Sequence, residues 1–127
     1  MEKVLIVDDE VDILRVIKKY LHDDYDVVTA TNGRDALEIY KKEKPSVIVT
    51  DIRMPGMDGI ELIKALKGMD REVEIIAITG HGDTRIAEES LRVGASDFLM
   101  KPLDVERLES SIEKALGQLR EKRRLVE

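Results

Sequence analysis

Residues 46–59 read SVIVTDIRMPGMDG. An apolar β-branched run, Val47 to Val49, closes on Thr50 and then on a bare carboxylate, Asp51. Pro55 and Gly56 follow, and a helix-like period opens at Gly59. A short apolar run without polar alternation is the pattern of a strand covered on both faces. An aspartate at its end is either a turn-former or helix cap, or a reactive group held at the rim of a sheet. What the rest of the chain delivers to the same rim decides between them.

Four more runs read as strands: Lys3–Val7, Asp26–Ala30, Val73–Thr79 and Ser96–Met100, with Ser46–Thr50 making five. The run DVVTA at 26–30 is short and more polar, which suits an edge. Helical periodicity fills the gaps. EVDILRVIKKYL puts Leu14, Ile17 and Leu21 on one face, and GRDALEIYKK does the same with Ala36, Leu37 and Tyr40. GIELIKALKGM aligns Leu62, Leu66 and Met69. DTRIAEESLRVG has only Ile86, Ala87, Ser90 and Leu91 to bury before Gly94 ends it, so it is expected to be the most mobile helix. A last helix starts after Asp104, a fitting N-cap, and repeats Val105, Leu108, Ile112, Ala115 and Leu119. That spacing runs on to Val126.

Strict alternation over five units predicts an α/β domain, a five-stranded parallel sheet doubly wound by five helices through right-handed crossovers. Residues 1–117 make the domain. Residues 118–127 are an extension of the last helix, either a frayed terminus or the start of a linker or coiled-coil seam.

Composition narrows the function. The 127 residues suit one domain that buries about two-thirds of its unfolded surface. The absence of cysteine excludes disulfides, thiolate metal sites and cysteine nucleophiles. With only two histidines as well, a zinc site is disfavoured, and His22 reads as a solvated helix-end residue. A net charge of −6 without a basic stripe argues against direct nucleic-acid binding. No apolar run approaches the roughly 20 residues that span a bilayer, and no signal peptide opens the chain. The expected location is the cytoplasm.

In an open parallel sheet, ligands sit beyond the carboxyl ends of the strands. Here those ends carry Asp8 and Asp9, Asp51, Thr79, and Lys101 followed by Pro102. Each has a modest explanation alone. Together, three carboxylates, a hydroxyl and an ammonium on one edge are hard to read as punctuation. Clustered carboxylates repel, and a hard cation with oxygen ligands, such as Mg²⁺, relieves them. A carboxylate in that setting is a nucleophile toward phosphorus, and phosphoryl transfer needs cations and positioning more than acid–base groups.

The motifs LIVDDE, VTDIRMPGMDG, IAITGHGD and ASDFLMKP, in this order over residues 2–117, resemble the CheY-like receiver domain of two-component response regulators. The resemblance implies a flavodoxin-like strand order 2-1-3-4-5. It implies that Asp51 accepts a phosphoryl group from a sensor histidine kinase. Asp9, Asp51 and the backbone carbonyl of Arg53 would hold Mg²⁺ directly, with Asp8 acting mainly through water. Lys101 would pair with the phosphoryl group, Thr79 would donate to it, and Gly80 would leave it room. Thr79 and Phe98 would form the switch that remodels the face of the fourth helix, fifth strand and fifth helix, a possible homodimer surface. The bond before Pro102 would be cis. Arg53 and His81, flanking the site, are read as tuning dephosphorylation. ITGHGD and FLMKP look like receivers joined to ATPase-type transcription activators; a tail leading to a diguanylate cyclase or kinase module and a stand-alone messenger are the other readings.

The rival is an aspartate-nucleophile phosphatase of the haloacid dehalogenase type, on a similar fold. Such an enzyme carries a second aspartate two residues after the nucleophile, where this chain has Arg53. A dinucleotide site lacks its glycines, since DDEVDI follows the first strand. A calcium loop at DIRMPGMDGIEL fails on Arg53 and Pro55, which occupy ligand positions.

Overall fold

The structure, a computed structural model, describes residues 1–126, with the side chain of Val126 outside the description. Five strands and five helices alternate along the chain. The first half holds β1 (Lys3–Val7), α1 (Val11–Leu21), β2 (Asp26–Ala30), α2 (Gly33–Glu43) and β3 (Val47–Asp51). The second holds α3 (Gly59–Met69), β4 (Glu74–Thr79), α4 (Thr84–Arg92), β5 (Asp97–Met100) and α5 (Val105–Val126). All strand pairs are parallel, in the order β2-β1-β3-β4-β5. The polar run DVVTA is an edge strand, as its composition predicts.

Alternate residues of the central strands feed two cores. Val4, Ile6, Val47, Val49, Ile76 and Ile78 pack with α1 and α5. Leu5, Val7, Ile48, Ile75 and Ala77 pack with α2 and α3, and half-buried Ile86 and Val93 bring in the α4 side. Burial on both faces explains why these strands lack polar alternation.

Three helix starts follow capping chemistry. Asn32 caps α2, its side chain accepting from the Asp35 N–H. Asp58 and Glu61 form a reciprocal capping box on α3. Asp104 accepts from the Glu106 N–H at 3.0 Å and so opens α5 as expected. His22 ends α1.

The structure amends several details. Three strands start one residue later than their apolar runs, at Val47, Glu74 and Asp97. β3 also ends one residue later, so Asp51 is a ladder residue opposite Ile78 rather than the residue after the strand. On α3 the buried stripe is Leu62, Ile63 and Leu66, while Met69 on the last turn is exposed. On α4, Ala87 and Ser90 are buried, Ile86 is half-buried against the core and Leu91 is exposed. Leu37 is half-buried. Beyond residue 117, Leu119 is buried and Lys122 ion-pairs with buried Glu74, so α5 stays packed at least that far. Leu125 is exposed. The seam position Val126 and the terminal Glu127 fall outside the side chains described.

Candidate functional site

The backbone fixes each side chain at the carboxyl edge before any chemistry begins. The Asp8 N–H donates to the Ala30 carbonyl at 3.1 Å, carrying the sheet pattern one residue beyond β1. The Ile52 N–H donates to the Ile78 carbonyl at 3.1 Å, and the Lys101 N–H to the Thr79 carbonyl at 2.8 Å. With β1 paired to β3, five strand ends far apart in sequence are thus locked side by side.

Gly59 explains the end of the opening motif. A Cβ there would lie 2.6 Å from both the Asp51 carbonyl oxygen and Ile52 Cα, so only glycine lets α3 begin against the end of β3. Its N–H donates to the Ile52 carbonyl at 2.8 Å. Gly56, at φ +76°, supplies the turn between them.

Asp51 is buried, and Lys101 Nζ donates to its Oδ2 at 3.0 Å. Asp8 is only 1% exposed. Its Oδ1 accepts from the Glu10 N–H at 2.9 Å, which is the modest turn-forming role considered above. Its Oδ2 is buried without a partner, and so is Thr79 Oγ1. Buried polar atoms are nearly always satisfied, so two orphans on one edge mark a site built for something else. Asp9 and Glu10 are exposed, and they offer carboxylate oxygens that lie with Asp8's within 4.8 Å of one another. Asp51, held by Lys101, is not a member of that group.

The electrostatics agree. Burial pushes the Asp8 carboxyl up to about 6; the Glu10 N–H opposes this, and the nearby Asp51 and Asp9 charges reinforce it. Burial lowers the Lys101 ammonium, but the Asp51 hydrogen bond and the carboxylates around it outweigh that and leave it raised. An edge that penalises its own negative charge and retains a lysine is prepared to receive a cation and an anionic group.

The remaining predicted residues lie around this centre. Gly80 is half-buried, and a Cβ there would meet open space. His81 and Arg53 are exposed. Phe98 is half-buried against the core on the α2–α3–α4 side. The Lys101–Pro102 bond is cis, as the resemblance implies. Two residues escaped the sequence reading. Glu10 was visible as the third acid of LIVDDE. Asp83 pairs with Arg53 at 2.9 Å, and no local signal tells that the two loops meet.

Comparison with known proteins now decides the family. The model of the response regulator receiver domain matches residues 4–113. The chain belongs to that family. It is 35% identical over 116 residues to the sporulation initiation phosphotransferase F of Bacillus subtilis, covering 91% of this chain and 94% of that protein. It is 39% identical over 125 residues to the C4-dicarboxylate transport transcriptional regulatory protein DctD of Pseudomonas aeruginosa, covering 98% of this chain but 26% of that one. Among solved structures, a response regulator receiver domain protein from Clostridium thermocellum superimposes over the full length of both chains, with a TM-score of 0.90 and 30% identity. NtrX from Brucella abortus superimposes with a TM-score of 0.93 and 33% identity, covering 99% of this receiver and 30% of that chain. The receiver therefore spans nearly all of one relative and only about a quarter of the DctD regulator. Within the described residues, no helix is long and apolar enough to cross a membrane.

Proposed function

We propose that this receiver is a phosphoacceptor switch whose nucleophile is Asp51, charged by a sensor histidine kinase. The observation that carries this is a buried carboxylate at a strand end, held by Lys101, on an edge where Asp8 Oδ2 and Thr79 Oγ1 lack partners. An Asp51 oxygen attacks phosphorus, and the bond from phosphorus to the donor nitrogen breaks. Lys101 transfers its hydrogen bond to the arriving phosphoryl oxygens, and the Thr79 hydroxyl donates to another. Gly80 leaves the space they occupy. Asp8, Asp9, Asp51 and the Arg53 carbonyl are the residues that would hold Mg²⁺, with exposed Glu10 beside them. The fit rests on the unpartnered Asp8 oxygen and the hard oxygen donor set. Bound there, the ion supplies positive charge to the phosphoryl oxygens.

A groove beside the site supports a surface for the donor's approach. It has a volume of about 370 Å³, is lined by Ile13, Val16, Ile17, Pro102, Leu103 and Val105, and opens beside Asp8 and Lys101. Thr79 and Phe98 then carry the signal toward α4, β5 and α5, where a homodimer or an output segment reads it. We read residues 118–127 as leading toward such a segment, as the longer transcriptional relatives allow. Catalysis is confined to the protein's own phosphorylation and dephosphorylation, because Arg53 replaces the acid that a phosphatase needs.

The test is incubation with acetyl phosphate and Mg²⁺, followed by intact-mass analysis. One hydroxylamine-labile phosphoryl group per chain is expected, and none in Asp51→Asn. A chain that stays unmodified, or an Asp51→Asn protein modified to the same extent, removes the reading. Turnover of a chromogenic phosphoester should stay at background.

A further inference from the structure

Four helices of this domain present a cap-forming residue at their N-cap position, and three of them, α5 with Asp104 included, use it. Asn32 (ψ 166°) accepts from the Asp35 N–H, and Asp58 (ψ 174°) accepts from the Glu61 N–H. Asp83 stands at the same position of α4 but has ψ 60° and makes no side-chain cap bond. Its carboxylate is engaged elsewhere: Arg53 donates to Oδ2 through Nη2 at 2.9 Å and Nε at 3.3 Å.

That ion pair joins the two loops that follow β3 and β4. β3 and β4 are neighbours, with Asp51 opposite Ile78. The loops leaving Asp51 and Thr79 therefore run side by side, and Arg53–Asp83 ties one to the other. Arg53 is a mostly exposed guanidinium two residues from Asp51. A phosphoryl group on Asp51 would bring close to two negative charges, a stronger partner for the guanidinium than one carboxylate. Gly82, at φ +80° between Gly80 and Asp83, sets the turn that presents Asp83 to Arg53.

We propose that Asp83 is a two-position residue: it holds Arg53 in the resting protein and caps α4 once Asp51 carries a phosphoryl group. This deepens the phosphoacceptor reading and rests on it. A helix cap is worth more than an exposed ion pair, so release of Asp83 firms the start of α4. Asp83 thereby acts as a positioning residue, working through Arg53. The charge placed on Asp51 reaches the α4 backbone through a carboxylate that changes partners, a route separate from Thr79.

Backbone amide exchange at Arg85 and Ile86, the second and third residues of α4, reads the cap. Wild type, Asp83→Asn, Asp83→Ala and Arg53→Ala would be compared with and without acetyl phosphate and Mg²⁺, with the adduct quantified by mass in each sample. Phosphorylation should slow exchange at these amides about fivefold in wild type, the equivalent of one cap. Resting Arg53→Ala should already be slow, because Asp83 is free. Resting Asp83→Asn should be slow too, since asparagine caps as well as aspartate but forms no ion pair. Asp83→Ala should remain fast with the adduct in place. If the adduct forms and wild-type exchange is unchanged, or resting Arg53→Ala matches resting wild type, the partner exchange is wrong while the phosphoacceptor reading stands. If no adduct forms in wild type, both fall.

Discussion

β4 carries a buried polar group at each end, and the two ends are finished differently. At its amino end Glu74 is 2% exposed; it takes an ion pair from Lys122 and a hydrogen bond from the Ser96 hydroxyl at 3.1 Å. At its carboxyl end Thr79 is 1% exposed with a hydroxyl that has no partner. Beside it, Asp51 has Lys101, but the neighbouring Asp8 leaves one oxygen unmatched. Both ends bury a carboxylate beside a lysine. Only the amino end completes the set. A buried charge that is paired and hydrogen-bonded is a structural joint, whereas one left beside unmatched atoms costs stability and is kept for what it binds.

The largest expected effect attacks the finished end. Lys122→Met leaves Glu74 buried without its cation, and breaking one side of a buried pair costs about 3 kcal/mol, at the low end because Lys122 itself is partly exposed. Urea unfolding should show it as a lowered midpoint with an unchanged slope. A cost below about 0.5 kcal/mol would mean that α5 beyond residue 117 is not part of the packed domain.

The unfinished end should respond in the opposite direction, and pH exposes it. The folded-state pKa of Asp8 is raised to about 6 from an ordinary 3.8, so the folded protein binds the extra proton. Its contribution is full below the unfolded value and is lost as pH rises through the window from about 4 to about 6. In metal-free buffer at pH 7.5, Asp8→Asn should therefore be more stable than wild type by about 2 kcal/mol. The two should converge near pH 4. Adding Mg²⁺ should stabilise wild type and narrow the gap at pH 7.5, because a ligand of the folded state stabilises it by mass action. A wild type whose stability rises with pH across that window would contradict the raised value.

These ends were unequally legible in the sequence. The sheet, its helices and the rim residues Asp8, Asp51, Thr79 and Lys101 could be read because apolar period and strand termini are local signals. The family motifs then placed roles on them. The Glu74–Lys122 joint was invisible, since a glutamate at the start of an apolar run looks like a strand flank. Its partner comes 48 residues later. Arg53–Asp83 escaped for the same reason: contacts between loops depend on strand order, which periodicity does not fix. Met69 and Leu91 are exposed despite their spacing, because a helical period gives a face but not how far the neighbouring layer extends.

The smallest effect is the sharpest, because it compares two buried threonines on adjacent strands. Thr50 donates its hydroxyl to the Asp51 carbonyl at 2.9 Å, while the Thr79 hydroxyl donates to nothing. Valine replaces a hydroxyl by a methyl of similar size, so the substitution removes a hydrogen bond at one site and an unmatched polar atom at the other. Thr50→Val should cost about 1 kcal/mol, and Thr79→Val should gain up to about 1 kcal/mol. Chemical denaturation without Mg²⁺ or phosphodonor resolves a difference of that size. With acetyl phosphate the ranking should reverse in function: Thr79→Val loses the proposed donor to the phosphoryl group and should perturb signalling to α4, whereas Thr50→Val should not. Were Thr79→Val to destabilise as much as Thr50→Val, the Thr79 hydroxyl would already be satisfied in the resting protein. The carboxyl end would then be as finished as the amino end, and its unmatched atoms could no longer be read as places held for a phosphoryl group.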